Sequence, residues 1–382
     1  MKKRNKFLNY GAQYIDEEDI QAVVETLRSP YITQGPKIAE FERAIADYVG
    51  AKYAVAFSSG TAALHGAYYV AGVREGDEVI TSPITFVATA NAAFYCGGRP
   101  VFADVNPQTG LLDVDKVKEK ITSKTKVIAP VDYAGQPVDI DSFMELAHEF
   151  DLIVIEDGAH SLGATYKGRK IGQQADMTMF SFHPVKPITT AEGGIITTNN
   201  KFFYEKLRQF RTHGILQKDF SKEIGAWYYE MVDLGYNYRM TDIQATLGIS
   251  QLKKIDSFIN RRSEIAALYD QLLSDIPGII TPKVEEDVEP GWHLYMIQIN
   301  EKIISKPRAE IFKEMRSLNI GVHVHYIPVY WHPYYQKQGY KKGICPHAER
   351  WYERALTLPI HYNMSDQDVH DVVDTLKMVI LN

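Results

Sequence analysis

Cysteine is nearly absent from this chain of 382 residues, which contains only Cys96 and Cys345. Two cysteines cannot build a disulfide framework or a four-cysteine metal site. We therefore expect neither of these, we assign no metal ligands, and we expect the chain to work in a reducing cytoplasm.

The chain also lacks an excess of positive charge and any long apolar run. Its formal net charge is −6 and its pI is near 6.1, so we expect no nucleic acid partner. An anionic substrate would have to be held by local positive groups. No run of about 18 apolar residues is present, which argues against a membrane span. The basic start, residues 1–6, precedes no long apolar run and is not typical of a signal peptide.

What is present is a regular alternation of strand-period and helix-period segments over the first two thirds. The pattern predicts strands at residues 53–57, 78–81, 101–104, 126–131, 152–155, 177–182 and 194–198. It predicts helices at residues 16–27, 38–49, 62–70, 86–95, 114–121 and 140–150. Such alternation is typical of βαβ units, so we expect an α/β fold with a mostly parallel sheet.

The pattern changes in the last third of the chain. It predicts one long helix at 241–273, strands at 292–300 and 322–327, and helices at 308–318, 347–355 and 366–381. We interpret residues 1–255 as a large cofactor-binding domain and residues 256–382 as a smaller C-terminal α+β domain. No internal repeat or low-complexity tract interrupts this division.

One lysine and one aspartate suggest a cofactor. Asp157 follows the apolar residues 152–155, and Lys186 lies in the later run 181–194. A lysine amine forms a Schiff base with pyridoxal phosphate, and a carboxylate facing the pyridine nitrogen keeps that nitrogen protonated. Taken alone, Lys186 would ordinarily be a solvated surface charge, and Asp157 could simply cap a turn.

A phosphate site is suggested by Ser59, Gly60 and Thr61, which lie between a predicted strand and a predicted helix. A helix start presents backbone N–H groups and the positive end of the helix dipole, which suits a phosphate. The hydroxyl of Ser181 would add a donor if the fold brings it close. Serine and threonine before an alanine-rich run are also ordinary helix caps, so this signal is weak by itself.

Seven motifs, in order along almost the whole chain, resemble those of the DegT/DnrJ/EryC1/StrS sugar aminotransferases, which have fold type I. They occupy residues 33–36, 59–64, 83–91, 156–160, 181–194, 211–214 and 235–240. Seven ordered matches are more specific than any single one. Two departures are mild: Gly158 stands where many relatives have alanine, and Pro187 where many have asparagine.

The resemblance implies pyridoxal 5′-phosphate as the cofactor, with Lys186 as the Schiff-base lysine and Asp157 beside the pyridine nitrogen. It implies that His160 lies near the ring oxygen and that Phe86 stacks on the ring. By composition alone, Phe86 would be an ordinary core residue and His160 a structural histidine, so these roles depend on the motifs.

The resemblance also implies that Gly60, Thr61 and Ser181 contact the cofactor phosphate. Asn237 matches a residue that reaches the site from a neighbouring subunit, although it could equally be a turn residue. If that match holds, the active site is shared, and we expect a homodimer.

Within the family, residues 10–11, 33–36 and 181–194 resemble most the UDP-sugar C4 aminotransferases of pseudaminic acid biosynthesis. This likeness implies transfer of an amino group from L-glutamate to C4 of a UDP-linked 4-keto-6-deoxy-L-HexNAc. The residues implied at the sugar site are Tyr10, Tyr31, Thr33, His325 and Tyr326. The aromatic and histidine-rich stretch 323–335 would suit a uracil ring and a diphosphate, or it could be a packed domain junction.

Other functions remain open at this point. Residue spacing does not distinguish a UDP sugar from a dTDP or GDP sugar, so another nucleotide-linked ketosugar is an alternative substrate. The sugar dehydratases of the same family are expected to carry histidine in place of the lysine, which Lys186 argues against. A non-catalytic binding or regulatory protein on this fold would tolerate loss of Lys186 or Asp157, and both are present.

Overall fold

The computed structural model describes residues 4–216, 218–220 and 223–381, so the first three residues of the basic start lie outside it. In chain order the strands are β1 Tyr53–Phe57, β2 Glu78–Thr81, β3 Arg99–Phe102, β4 Thr125–Ala129, β5 Ile153–Asp157, β6 Thr165–Tyr166, β7 Arg169–Lys170, β8 Met177–Ser181, β9 Gly194–Thr198, β10 Ile279–Ile280, β11 Val288–Glu289, β12 Tyr295–Ile299 and β13 Ala355–Leu358.

The α-helices follow the same order. They are α1 Glu17–Arg28, α2 Pro36–Val49, α3 Gly60–Val70, α4 Val87–Tyr95, α5 Val114–Lys118, α6 Ile140–Phe150, α7 Lys201–Phe210, α8 Asp242–Leu252, α9 Ile255–Leu273, α10 Arg308–Ser317, α11 Pro333–Lys337, α12 Pro346–Arg354 and α13 Asp366–Leu381. Within the described ranges, no helix is long and apolar enough to cross a membrane.

The main sheet has seven strands in the order β1-β9-β8-β5-β4-β2-β3. The pairs from β3 across to β8 are parallel, whereas β9 pairs antiparallel with both β8 and β1. The mostly parallel α/β sheet is therefore confirmed, with β9 as the exception. Since β5 and β8 are parallel neighbours, their carboxyl ends meet at one edge, which is where α/β folds bind ligands.

The central strands are apolar throughout because both faces of the sheet are covered. In β4, Ile128 packs into the main hydrophobic core on one face of the sheet and Val127 into a smaller apolar cluster on the other, and β5 alternates in the same way. Successive side chains of a strand point to opposite faces, so a strand buried on both sides shows a continuous apolar run. This arrangement leaves the strand ends, rather than the faces, available for polar groups.

The predicted helix at 241–273 is wrong as a single element, because it breaks into α8 and α9 at residues 253–254. Lys254 at the break donates hydrogen bonds to Asp16 at 2.7 Å and Asp19 at 2.8 Å, which belong to the start of α1. The apolar period runs through the break, so the pattern shows one helix where tertiary contacts produce two.

The predicted strand at 322–327 is also wrong. His323 forms a single bridge with Thr357 of β13, and the rest of the segment is irregular. The small sheet has the order β10-β12-β13. Among the described residues, the segment 322–327 pairs with β13 at His323 alone. Two smaller differences concern bounds: the helix predicted at 114–121 ends at Lys118, and the strand predicted at 101–104 is β3.

A second hydrophobic core lies between the small sheet and the last helices. It contains Ile297 of β12, Leu356 of β13 and Val372 of α13. The long helix α9 serves both cores, since Phe258 packs into the main core and Tyr269 into the second. The division into domains at residue 255 stays a prediction.

Candidate active site

A cavity of about 900 Å³ opens beside the carboxyl ends of β5 and β8. Ten of the residues predicted for the site line it: Tyr10, Gly60, Thr61, Phe86, Asp157, His160, Ser181, Lys186, His325 and Tyr326. These residues come from distant parts of the chain. The fold therefore brings together the lysine, the aspartate and the proposed phosphate site.

Asp157 ends β5 and is only 4% exposed. Its Oδ2 accepts a hydrogen bond from the Thr89 hydroxyl at 2.5 Å, and its Oδ1 accepts one from the Ala159 backbone N–H at 3.1 Å. Burial raises the pKa of this carboxyl, while the two hydrogen bonds and the nearby Lys186 oppose that shift. The carboxylate is thus fixed in orientation at the cavity wall.

Lys186 lies in the loop between β8 and β9, with its amine inside the cavity. Burial lowers the pKa of Lys186 to about 8, and the charge of Asp157 partly offsets that effect. An amine with such a pKa is available in its neutral form near physiological pH, as a nucleophile or base requires. The amine lies 3.4 Å from Nε2 of His293.

The phosphate-binding candidate is the start of α3. Ser59 caps this helix, and its side chain accepts a hydrogen bond from the Ala62 N–H at 3.1 Å. A Cβ added to Gly60 would lie 3.2 Å from the Ser181 side chain, and one added to Gly194 would lie 2.6 Å from Gly60. The backbone at the helix start is therefore approached closely by β8 and β9.

His160 and Phe86 also line the cavity. His160 is buried, which lowers the pKa of its imidazole well below the usual range, and its Nε2 lies 3.3 Å from the Tyr326 hydroxyl. Its Nδ1 is buried with no hydrogen-bond partner among the described residues. Phe86 is 60% exposed and therefore is not a core residue.

One side of the cavity is formed by an aromatic and histidine cluster, which includes Tyr10, His323 and His325. The ring of Tyr10 lies 5.2 Å from that of His323 and 5.1 Å from that of His325. The His325 Nδ1 lies 2.9 Å from the Thr357 hydroxyl. Within the stretch 323–335, residues 323–327 line the cavity, whereas Tyr330 and Tyr335 are buried in the core. Contact of this stretch with a nucleotide stays a prediction.

Three residues predicted for the site do not line the cavity of the single chain. Tyr31 and Thr33 are exposed, and Thr33 forms a bridge with Thr241. Asn237 is exposed and forms a bridge with Thr212. Their roles stay predictions.

Other residues of the site were not singled out from the sequence. Thr89 lies within the quoted motif 83–91, so the motif could have pointed to it. Glu192 lines the cavity and also lies within a quoted motif, the run 181–194. His293 lies outside all seven motifs, in a segment predicted only as a strand, and nothing in the local pattern marks it.

These residues fit pyridoxal phosphate. The start of α3, with small residues packed against it, provides a cradle for a phosphate that a Cβ at Gly60 or Gly194 would obstruct. The carboxylate of Asp157 is held in a fixed orientation, which suits a protonated nitrogen, and Lys186 has an amine with a lowered pKa. The buried, unpartnered Nδ1 of His160 leaves a polar group for the ring.

Comparisons with known proteins agree with this arrangement. Residues 13–377 match the DegT/DnrJ/EryC1/StrS aminotransferase family. The chain is 44% identical to the spore coat polysaccharide biosynthesis protein SpsC of Bacillus subtilis, over 100% of this chain and 99% of that one. It is 38% identical to a UDP-4-amino-4,6-dideoxy-N-acetyl-beta-L-altrosamine transaminase of Campylobacter jejuni, over 98% of this chain and 97% of that one.

Solved structures are similar over the same extent. The aminotransferase PseC of Helicobacter pylori, involved in the biosynthesis of pseudaminic acid, matches with a TM-score of 0.93 at 35% identity, covering 98% of this chain and 100% of that chain. A sugar aminotransferase of Streptococcus pneumoniae in its PLP form matches with a TM-score of 0.90 at 34% identity, covering 98% and 99%.

Proposed function

The chain belongs to the DegT/DnrJ/EryC1/StrS aminotransferase family, and we propose that it moves an amino group from L-glutamate to C4 of a UDP-linked 4-keto-6-deoxy-L-HexNAc. The product would be UDP-4-amino-4,6-dideoxy-N-acetyl-β-L-altrosamine, a step of pseudaminic acid biosynthesis in the cytoplasm. The observation that carries the proposal is that Lys186, Asp157 and the start of α3 all open into one cavity. The Campylobacter and Helicobacter relatives support the choice of sugar.

The enzyme uses pyridoxal phosphate, which supplies an electron sink for the negative charge that develops when the amino donor loses its α-proton. Asp157 would keep the pyridine nitrogen protonated, and Thr89 and the Ala159 N–H hold that carboxylate in place. Gly60, Thr61 and Ser181 would hold the phosphate, while Phe86 and His160 would contact the ring.

Lys186 moves the protons. Its amine, once free, takes the α-proton of glutamate, and in the second half of the cycle it delivers a proton to C4 of the sugar. The lowered pKa suits both directions, since the amine can release and accept a proton near neutral pH. Because the enzyme takes up the amino group from glutamate in one half reaction and passes it to the sugar in a second, we expect ping-pong kinetics.

The nucleotide sugar would lie along the aromatic and histidine cluster. Tyr10, His325 and Tyr326 line this side of the cavity, which supports the role proposed for them in contacting the sugar. Aromatic rings provide flat apolar surface for a uracil, and imidazole N–H groups can donate to a diphosphate.

The proposed assembly is a homodimer with a shared site. The segment before Asn237 exposes several large apolar side chains, among them Trp227, which is 79% exposed, Tyr229 and Leu234. Contiguous exposed apolar surface of this kind marks an interaction site. A second copy covering this segment would bring Asn237 toward a neighbouring cavity, with Tyr31 and Thr33 as further candidates for contributions across the interface.

A second candidate is an aminotransferase of the same family that acts on another UDP- or dTDP-linked ketosugar. It is favoured by the Bacillus subtilis relative, which is more similar to this chain than the Campylobacter transaminase is. The name of that relative refers to spore coat polysaccharide rather than to pseudaminic acid. The two candidates share the cofactor site and differ only in the sugar.

A single-turnover assay separates these candidates. The holoenzyme is converted to its amino form with L-glutamate, freed of glutamate, and mixed with a panel of 4-keto nucleotide sugars, with Lys186→Ala as the control. Amino-sugar formation, read by mass spectrometry, with the UDP-linked 4-keto-6-deoxy-L-HexNAc alone would support the proposal. Product from only a D-configured or dTDP-linked ketosugar would replace the substrate, and no product from any sugar would contradict both candidates.

A further inference from the structure

We propose that His293 is a positioning residue for Lys186: its Nε2 accepts a hydrogen bond from the lysine amine and holds the amine at the cavity wall whenever it is free. This inference deepens the proposed function and rests on Lys186 as the reacting amine. It assigns a task to a residue that lies outside all seven motifs.

The contact is direct. Nζ of Lys186 lies 3.4 Å from Nε2 of His293, and in the described part of the chain this is the hydrogen-bond contact that the amine makes. His293 is 3% exposed, so water does not compete for its ring from the outside. The long lysine side chain otherwise has many rotamers, and one fixed acceptor reduces that freedom.

His293 is available as an acceptor because it is neutral. Burial lowers the pKa of its imidazole well below the usual range, and the neighbouring positive groups or rings of Lys186, His160, Arg262 and His325 lower it further. A neutral imidazole has one nitrogen with a free lone pair. Because Nε2 accepts the hydrogen bond from Lys186, the single N–H proton of the neutral imidazole lies on Nδ1.

The backbone just before His293 is fixed by other parts of the fold. The guanidinium of the buried Arg262 donates to the carbonyl oxygens of Trp292 and Ile360, both at 3.1 Å. The Gly291 N–H donates to the Gly135 carbonyl at 2.8 Å. The segment that contains His293 is therefore hydrogen-bonded both to α9 and to the turn after β4.

The same turn approaches His293 so closely that only glycine fits there. Gly135 has φ of +97°, and a Cβ added to it would lie 2.8 Å from the His293 backbone nitrogen. A ring placed this firmly can set the position of the flexible amine opposite it.

A purely structural role has to be distinguished from this one. The ring of His293 packs against that of His160, with 4.3 Å between centroids, and the Nδ1 atoms of both rings are buried without a hydrogen-bond partner in the described ranges. Replacing His293 could therefore disturb His160 by packing alone. Only a positioning role requires that the protonation of Lys186 itself respond to the acceptor.

The acceptor stabilises the ammonium form of Lys186 more than the neutral form. Loss of the acceptor should therefore lower the pKa of Lys186, and retention of an acceptor of similar reach should preserve it. His293→Leu removes the acceptor, whereas His293→Gln places an amide oxygen at about the same distance along the side chain. His293→Asn is polar but shorter, and it serves if the leucine variant does not fold.

The test is competitive labelling of amines in the cofactor-free protein with isotopic acetic anhydride between pH 6 and 11, with Lys186 read by peptide mass spectrometry. We expect its apparent pKa to fall by about one unit in His293→Leu and in His293→Asn, and to stay at the wild-type value in His293→Gln. His65→Leu is the matched control, since His65 is another buried histidine and packs against Tyr95 and Tyr236.

An unchanged Lys186 pKa in a folded His293→Leu or His293→Asn protein would overturn the proposal, as would an equal fall in His65→Leu. In the holoenzyme, kcat should fall about tenfold in His293→Leu with little change in KM for glutamate. The labelling needs no sugar. Failure of the proposed ketosugar substrate therefore leaves this result intact, and the two proposals can fail separately.

Discussion

Thr89 donates a hydrogen bond of 2.5 Å to Oδ2 of Asp157 at the cavity wall. Burial raises the pKa of this carboxyl, and the Thr89 bond acts against that shift by favouring the charged form. A helix α4 residue thus supports the charge of a β5 residue at the point where the two elements meet. The charge on Asp157 is what the pyridine nitrogen of the cofactor requires.

Thr89→Val should therefore weaken both cofactor binding and turnover. A hydrogen bond to a charged group contributes about 1.5–3 kcal/mol, so we expect kcat to fall about 10- to 100-fold. Cofactor affinity is measured by fluorescence titration, and kcat by the steady-state rate of amino-sugar formation. Thr81→Val is the control, because its hydroxyl is equally buried but donates to the Ala129 carbonyl of β4. Equal losses of cofactor affinity and kcat in Thr89→Val and Thr81→Val would argue against a specific role of Thr89.

Asp157→Asn should keep the covalent attachment of the cofactor and lose most of the turnover, because a neutral amide cannot keep the pyridine nitrogen protonated. The charge of Asp157 also raises the pKa of Lys186, so the Lys186 pKa should fall in this variant. Borohydride reduction followed by mass spectrometry measures attachment, and amine labelling measures the pKa. Wild-type turnover in Asp157→Asn would refute the assigned role.

Attachment of the cofactor should depend on pH through Lys186. Burial lowers its pKa from 10.5 to about 8, and only the neutral amine attacks the aldehyde. The attachment rate of the cofactor-free protein should therefore rise about tenfold per pH unit below 8 and level off above it. Stopped-flow absorbance follows this rate, with Lys186→Ala as the blank. A rise that continued to pH 10 would show an amine with an unshifted pKa.

Gly194→Ala should lower cofactor affinity. The added Cβ would lie 2.6 Å from Gly60, so the start of α3 has to move away from β9. Overpacking of this kind costs about 1–3 kcal/mol, and we expect the cofactor Kd to rise about tenfold or more. Gly76→Ala is the control for general destabilisation, since its φ of +90° disfavours alanine but its Cβ would meet nothing within 4 Å. An unchanged Kd in Gly194→Ala would exclude the α3 start as the phosphate site.

Subunit mixing tests the shared site. Lys186→Ala and Asn237→Ala should each be nearly inactive alone. If Asn237 serves the neighbouring cavity, each mixed dimer contains one complete site, and mixing should restore about a quarter of wild-type turnover. Mixtures are made by unfolding and refolding together, and each variant refolded alone is the control. No recovery in verified mixed dimers would place both residues in the same site.

The sequence predicted those parts of the fold that depend on local pattern. The strands β1, β2 and β9 and the helix α6 lie at the predicted residues, since apolar periodicity and turn residues define them locally. The family motifs predicted a lysine and an aspartate that do face one cavity. Such features depend on residues that are close together in the sequence.

Other parts depend on contacts between distant segments. The strand pattern at 322–327 was misleading because the segment meets β13 only at His323. The break at Lys254 depends on two aspartates of the α1 start. His293 reaches Lys186 because α9 and the turn at Gly135 hold its backbone. Residue spacing in the sequence does not predict that contact.

The long helix α9 also limits how this protein can be recombined with its relatives. Phe258 near one end packs into the main core and Tyr269 near the other packs into the second. Each residue inserted into a helix turns everything beyond it by about 100°, so a junction that alters its length would misalign one core against the other. Chimeric enzymes built to exchange sugar specificity should therefore be joined outside Ile255–Leu273, with the whole helix taken from a single parent.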